Sequence, residues 1–521
     1  MRPSLLAMGV LVAALGTQAA WSQPVSPFES ENWSTAENGV DTRVFALLQQ
    51  KGIEPAKPCS DAVFVRRAFI DTIGTLPESS EVEQFLQDES PDKRALLIDE
   101  LLEREEFADY WALKWCDLLR VKAEFPINLW PNAVQAYHRW VYEQVRENRP
   151  YDEFARELLT SSGSNFRVPP VNFYRAVQSR EPAGLAEAAA LTFMGARTAS
   201  WPEDRRDGMA LFFSRVAYKG TDEWKEQVVY PDLTGDEAID ALLPDGTTVR
   251  IEPGQDPRVV FADWLITADN PWFARAAANR VWYWLMGLGI IHEPDDIRPD
   301  NPPVNPELLS YLEGELVAAD WDLRALFRLI LNSRTYQQSP IARSDDPQVE
   351  ALFACYPVRR NDAEVLIDAF GWIGGTGEAY TSPIPEPFTW VPEEQRTIAL
   401  SDGSITSNFL QMFGRPPRDN GMEAERNNEP SDAQRLYLLN STDIYRRIAN
   451  SILLRRVAIA AGSDQDELVR GIYLTLVSRE PTPDELAAAA AYRQLPGIGP
   501  YNAQIDLAWA LVNSMEFLYR H

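Results

Sequence analysis

A chain of 521 residues, 45% of them apolar, is long enough for two or three domains with cores of their own. Its 77 acidic residues against 49 basic ones leave a net charge of −28. Such a field repels phosphate backbones and argues against nucleic acid and anionic membrane surfaces as partners.

Residues 1–22 read as a secretory leader. Arg2 is the charged start, Leu5 opens a short apolar run, and Thr17 to Ser22 supply small residues for cleavage. No later apolar stretch reaches the ~20 residues of a membrane span, so the mature protein is expected to be soluble and extracytoplasmic. Residues 23–223 then follow a helical rhythm. After a polar lead-in with a helix over 40–50, Ser60 opens a helix that Gly74 stops before Pro77, and Ser80 starts the next. Ser90 and Pro91 begin an amphipathic run to Arg104, and helices over 133–147 and 151–160 follow. The stretch 109–122 is apolar nearly all round and should be deeply buried.

The rhythm fails over 224–255, where short β-branched runs at 225–230 and 247–252 flank the turn signal Pro244-Asp245-Gly246. The predicted fold class is therefore mainly α: two helical domains, 23–223 and 256–521, made of helix–turn–helix hairpins, with a small β ribbon near their junction. Parts of the two domains resemble each other. Val65-Arg66, Phe69-Ile70, Gly74, Pro77 and Glu81 match Val469-Arg470, Tyr473-Leu474, Ser478, Pro481 and Glu485 at a constant offset. Likewise Leu331-Asn332-Ser333 up to Tyr336 echoes Val512-Asn513-Ser514 up to Phe517.

Residues 269–318 organise the second domain. Asn270 and Pro271 signal a helix start, Gly287 a stop, and Asn305-Pro306 a second start. Between the two helices lies a loop of carboxylates and prolines, from His292 to Asp300. Asn279 and Arg280 sit inside an apolar helix, where a guanidinium demands a carboxylate, so Arg280 is expected to pair with Asp295 or Asp296. Asp295, Asp296 and Asp300 also make a candidate calcium site, since calcium takes 6–8 oxygen ligands; pairing with Arg298 and Arg280 is the competing reading. His292 is the candidate acid–base residue, whereas His138, between aromatics on a helix, reads as packed core and His521 is terminal. The region 371–428 is the longest irregular part, and loops of that length are usually functional. Its Arg415, Arg418 and Arg426 would grip an anionic group such as a uronate, unless Asp419, Glu423 and Glu425 pair with them. Trp130, Trp201, Trp372 and Trp390, in or near loops, offer faces for sugar rings. Cys59, Cys116 and Cys355 allow one bridge and a free thiol, or three buried thiols.

Several motifs carry a family resemblance. RRAFIDTIGTLPESSEVEQFL, YWALKWCDLLR and RPYDEFARELLTSSG resemble the cytochrome-associated domain of unknown function of secreted planctomycete-type proteins. NPWFARAAANRVWYWLMGLGIIHEPDDIRPDNPP, NPELLSYLEGELV, LFRLILNSRTYQQS and QRLYLLNS resemble the planctomycete-specific domain of unknown function that follows it. The resemblance implies a mainly helical, exported protein and no established activity. Where many relatives carry CxxCH, the run from Gly195 to Arg206 has neither cysteine nor histidine, so no covalent haem is expected. Where relatives often place His before the Pro-Glu-Leu-Leu helix start, this chain has Asn305. The expected function is carbohydrate binding or processing through the acidic and arginine loops. The alternative is a haem-free scaffold or accessory subunit, with exported protein partners, in a redox or polysaccharide-processing assembly.

Overall fold

The computed structural model describes residues 26–521; the expected leader, 1–22, lies outside the described residues. About half of the chain is helical, at 51%, against 6% strand, so the mainly α class holds. Among the described residues no helix is long and apolar enough to cross a membrane.

Side-chain burial gathers into two hydrophobic cores. The larger is built mainly from Val40 to Tyr356, with Val365, Ile384, Ile398 and Leu474 added, and so takes in helices from both sides of the 224–255 segment. The smaller is built almost wholly from Ala363 to Phe517. At the centre of the larger core stands the helix Glu105–Leu118, buried on nearly every side. Trp111 and Trp115 project from it onto Trp284, with ring centroids 5.2 and 5.5 Å away. Burying each such ring contributes roughly 2–3 kcal/mol, which outweighs the ordering cost of a helix that would otherwise be marginal.

The internal similarity is structural. The helices Asp61–Ile73 and Gln465–Val477 both end on a left-handed residue, Gly74 at φ +65° and Ser478 at φ +59°. The following helices open with Glu81 and Glu485, each accepting from the backbone N–H three residues earlier. The second pair of matched segments makes the same bonds as well. Ser333 Oγ accepts from Tyr336 N at 3.1 Å, and Ser514 Oγ from Phe517 N at 3.3 Å. These segments meet at adjacent arginines of the first repeat: Arg66 donates to Phe517 O at 3.1 Å, Arg67 to Tyr336 O at 2.5 Å.

The β region differs from expectation. The runs 225–230 and 247–252 do not pair with each other. Gln227–Pro231 pairs antiparallel with Val216–Gly220 and with Gly163–Ser164, while Thr248–Ile251 pairs with Ile239–Leu242. Each run finds a partner across a short local connection, which closes at less entropic cost than one long ribbon, and the first also takes the distant Gly163–Ser164 on its other edge. A last two-residue pairing fastens the chain end, Tyr519–Arg520, onto Arg359–Arg360. All three cysteines are buried free thiols.

Candidate functional site

The aspartates of the acidic loop pair with Arg280 and Arg298, the competing reading, and do not gather around a common point. Arg280, on the helix Phe273–Met286, reaches Asp295 Oδ1 at 3.0 Å, and both side chains are buried. The guanidinium also donates to the carbonyls of Thr192 (2.8 Å) and Leu191 (3.3 Å), which the wide π-helical turn Ala190–Met194 leaves free. Asn279 clamps the loop from the same helix, exchanging two 2.8 Å hydrogen bonds with the backbone of Ile291. Asp296 and Asp300 instead flank Arg298 at the surface, at 3.1 and 3.3 Å. The calcium expectation is thereby corrected. Asp295 is committed to Arg280 and to the N–H of Glu423 (2.6 Å), and the other two aspartates face outward. Among the described residues no three His, Cys, Asp or Glu side chains converge as metal ligands. His292 is exposed, and its ring makes no hydrogen bond among the described residues. His138 is partly buried with its Nε2 shielded from solvent, and desolvation lowers its imidazole to about 3, so it stays neutral.

The three arginines of the long loop point inward, which corrects their reading as an anion grip. Arg426 binds Asp117 (2.6 Å) and Glu364 (2.7 Å), and Arg418 binds Asp117 (2.8 Å). Arg415 lies 3.4 Å from Glu364. Their partners come from the helices Glu105–Leu118 and Ala363–Gly374, not from Asp419, Glu423 or Glu425. The signal was present in the sequence: Asp117 and Lys114 stand in the run WALKWCDLL, otherwise apolar, and a buried charge requires an opposite one.

The work of Arg415 and Arg418 is to hold a wall. Arg415 donates to the carbonyls of Ile405 and Asp402, and Arg418 to those of Ser401 (2.9 Å) and Val121 (3.2 Å). The same segment is clipped to the 121–124 backbone by Gly403 N to Val121 O (3.0 Å), Ala123 N to Asp402 Oδ1 (2.9 Å) and Glu124 N to Ser404 Oγ (3.0 Å). Gly403 is required there, because a Cβ would lie 2.8 Å from Arg418 Cδ.

In front of this wall opens a shallow groove between the first turn of the helix Pro131–Arg146 and the segment 388–405. Its lip is aromatic. Trp130, Trp224 and Phe388 stand with centroids 4.8 to 5.9 Å apart, and Lys225 Nζ lies 4.9 Å above the Trp130 ring. Trp390 is 67% exposed, Trp224 52% and Phe388 46%. Large rings left this open in one place mark a binding surface. Gln135, Thr389 and Ser401 line the groove, and the Thr389 hydroxyl has no hydrogen-bond partner among the described residues. Trp130 holds φ +73°, and Arg120 and Asn128 on the same loop are also left-handed; such conformations in non-glycine residues persist only where the surroundings enforce them. Of the four tryptophans singled out in the sequence, Trp390 lines this groove and Trp130 stands beside it, packed on Phe388. Trp201 and Trp372 pack separately against the larger and smaller cores.

Residues 39–199 match the family PSCyt2, described as a protein of unknown function (DUF1549), and residues 257–493 match PSD1, a protein of unknown function (DUF1553). The chain belongs to the planctomycete-type two-domain family. No curated protein and no solved structure matches it. The aromatic groove therefore lies where the two family domains meet. The helix Pro131–Arg146 belongs to the first, the 388–405 wall to the second, and Trp224 to the segment between the two matches.

Proposed function

We propose that this protein binds carbohydrate outside the cytoplasm, in the groove between its two family domains. The observation that carries the reading is the aromatic lip of Trp130, Trp224, Phe388 and Trp390 beside side chains with hydrogen-bonding capacity to spare. A sugar ring presents C–H faces that stack on indole and hydroxyls at its edge that need donors and acceptors. A concave site with an apolar platform and a few polar groups meets both needs. The strained 119–130 loop and the arginine-braced wall keep the platform in place before ligand arrives, which lowers the ordering cost of binding.

The test is a screen of the full chain against neutral and uronate oligosaccharides, followed by calorimetry with the strongest binder. Trp390→Ala and Trp224→Ala, both surface changes, are expected to weaken that binding about tenfold each, since a lost stacking platform removes on the order of 1.4 kcal/mol. Absence of any saturable ligand, or one whose affinity neither substitution alters, would sink the reading.

A further inference from the structure

The helix Ile452–Ala461 has one packed face and one bare one. Leu454 and Ala461 point inward with Val457, which fits against Gly471 so closely that a Cβ there would meet Val457 Cγ1 at 2.5 Å. On the opposite side Ile452, Arg455, Arg456 and Ile459 recur at i, i+3, i+4 and i+7, one continuous stripe. Ile452 is 53% exposed and Ile459 74%. The preceding helix, Thr442–Ala449, turns Tyr445 and Arg446 outward as well.

The charges set this face apart. The span 432–461 holds five arginines against two aspartates in a protein whose net charge is −28. Arg447, on the inner side, is buried and bound to Asp443 and Glu378, both at 2.9 Å. Arg446, Arg455 and Arg456 make no ion pair or side-chain hydrogen bond among the described residues, although carboxylates outnumber cations in the chain.

We propose that this stripe docks an acidic amphipathic helix of a protein partner. Two isoleucines two turns apart, with paired arginines between them, match a helix that presents apolar residues at i, i+3 and i+7 flanked by glutamates. The arginines would then find outside the chain the carboxylates they lack inside it. An anionic bilayer is a poorer occupant, because the remainder of so acidic a molecule is repelled from it. A second copy of the chain in two-fold contact would set arginine against arginine.

The experiment uses the full chain and a fluorescent helical peptide carrying leucines and glutamates in that pattern, followed by anisotropy. Saturable binding is expected. The double change Arg455→Glu with Arg456→Glu should weaken it about tenfold or more, Ile459→Ser should weaken it measurably, and added salt should weaken it steadily. Trp390→Ala, in the aromatic groove, should leave it unchanged, so this proposal and the carbohydrate reading fail separately. The proposal is overturned by no saturable peptide binding, or by binding that the charge reversal leaves intact. It is equally overturned if the stripe instead binds phosphatidylglycerol vesicles, or pairs copies of the chain, without binding the peptide.

Discussion

Arg280 faces two carboxylates, and it hydrogen-bonds to only one. Asp295 takes the guanidinium at 3.0 Å, while Glu423 sits 3.5 Å from its Nε and accepts from Trp284 Nε1 at 2.8 Å. Burial, with the Asp295 charge beside it, pushes the Glu423 carboxyl up to about 7, against the pull of Arg280. A carboxyl whose folded pKa is raised favours the folded state below its unfolded value, near 4.5, and loses that contribution as pH climbs through about 7. Stability is therefore expected to fall as pH rises from about 4.5 to about 7. Glu423→Gln keeps an acceptor for Trp284 and removes the titration. Its thermal midpoint should exceed that of the native protein at pH 8, with a flatter profile from pH 5 upward. A profile as steep as the native one would mean that Glu423 is not the titrating group. The expectation that Arg280 would be buried against an aspartate came from an apolar helix around it. That Asp295 rather than Asp296 is the partner, and that Glu423 joins them from far along the chain, depended on how the long loop folds back.

Helix termini were the most readable elements, because their chemistry is local. Asn305 caps the helix Pro306–Ala318 through the N–H of Leu308 (3.0 Å), Gly287 ends Phe273–Met286 at φ +76°, and Ser431 with Gln434 forms the capping box of Asp432–Asn440. Asn270 also caps, although its helix begins two residues later than its Pro271 suggested, at Phe273. Two glycines separate backbone conformation from packing. Gly52, at φ +70°, has open space where a Cβ would go, whereas at Gly74, φ +65°, a Cβ would lie 2.6 Å from the Tyr110 ring. Gly52→Ala should therefore lose about 1–2 kcal/mol in urea unfolding, the left-handed penalty alone. Gly74→Ala should lose clearly more, as Tyr110 must shift. Equal losses would show that the ring moves aside freely. The strands were less legible, since the same β-branched runs suit either of two partners and only the closing turns decide.

At the scale of the whole molecule, the two hydrophobic cores are joined by buried charge. Asp362, at the start of the second core, accepts from Tyr110 Oη (2.7 Å), Lys114 Nζ (2.8 Å) and Asn428 Nδ2 (2.7 Å), and from Arg520 Nη2 (2.9 Å) at the chain end. Burial opposes its charge, but Lys114, Arg520 and Arg426 more than offset this and hold the carboxyl well below the usual range. Asp362→Ala leaves Lys114 and Arg520 buried without that partner, and is expected to cost about 3–5 kcal/mol. Urea unfolding followed by circular dichroism and by tryptophan fluorescence should then give transitions that no longer coincide, as the cores come apart separately. Coincident transitions with a loss below about 1 kcal/mol would place the joint elsewhere.

Composition, helical periodicity and capping residues by themselves determined a mainly α protein and most helix ends, for each depends on residues within a turn or two of one another. The repeats from Val65 and Val469 were also visible, because their left-handed stops and capping glutamates are local too. Which charges meet was decided only in three dimensions. Arg415, Arg418 and Arg426 turn inward because Asp117 and Glu364, hundreds and dozens of residues away, lie in the interior and cannot stay there unpaired. The aromatic groove was likewise hidden: Trp130, Trp224 and Phe388 belong to separate stretches, and only tertiary packing sets their rings side by side.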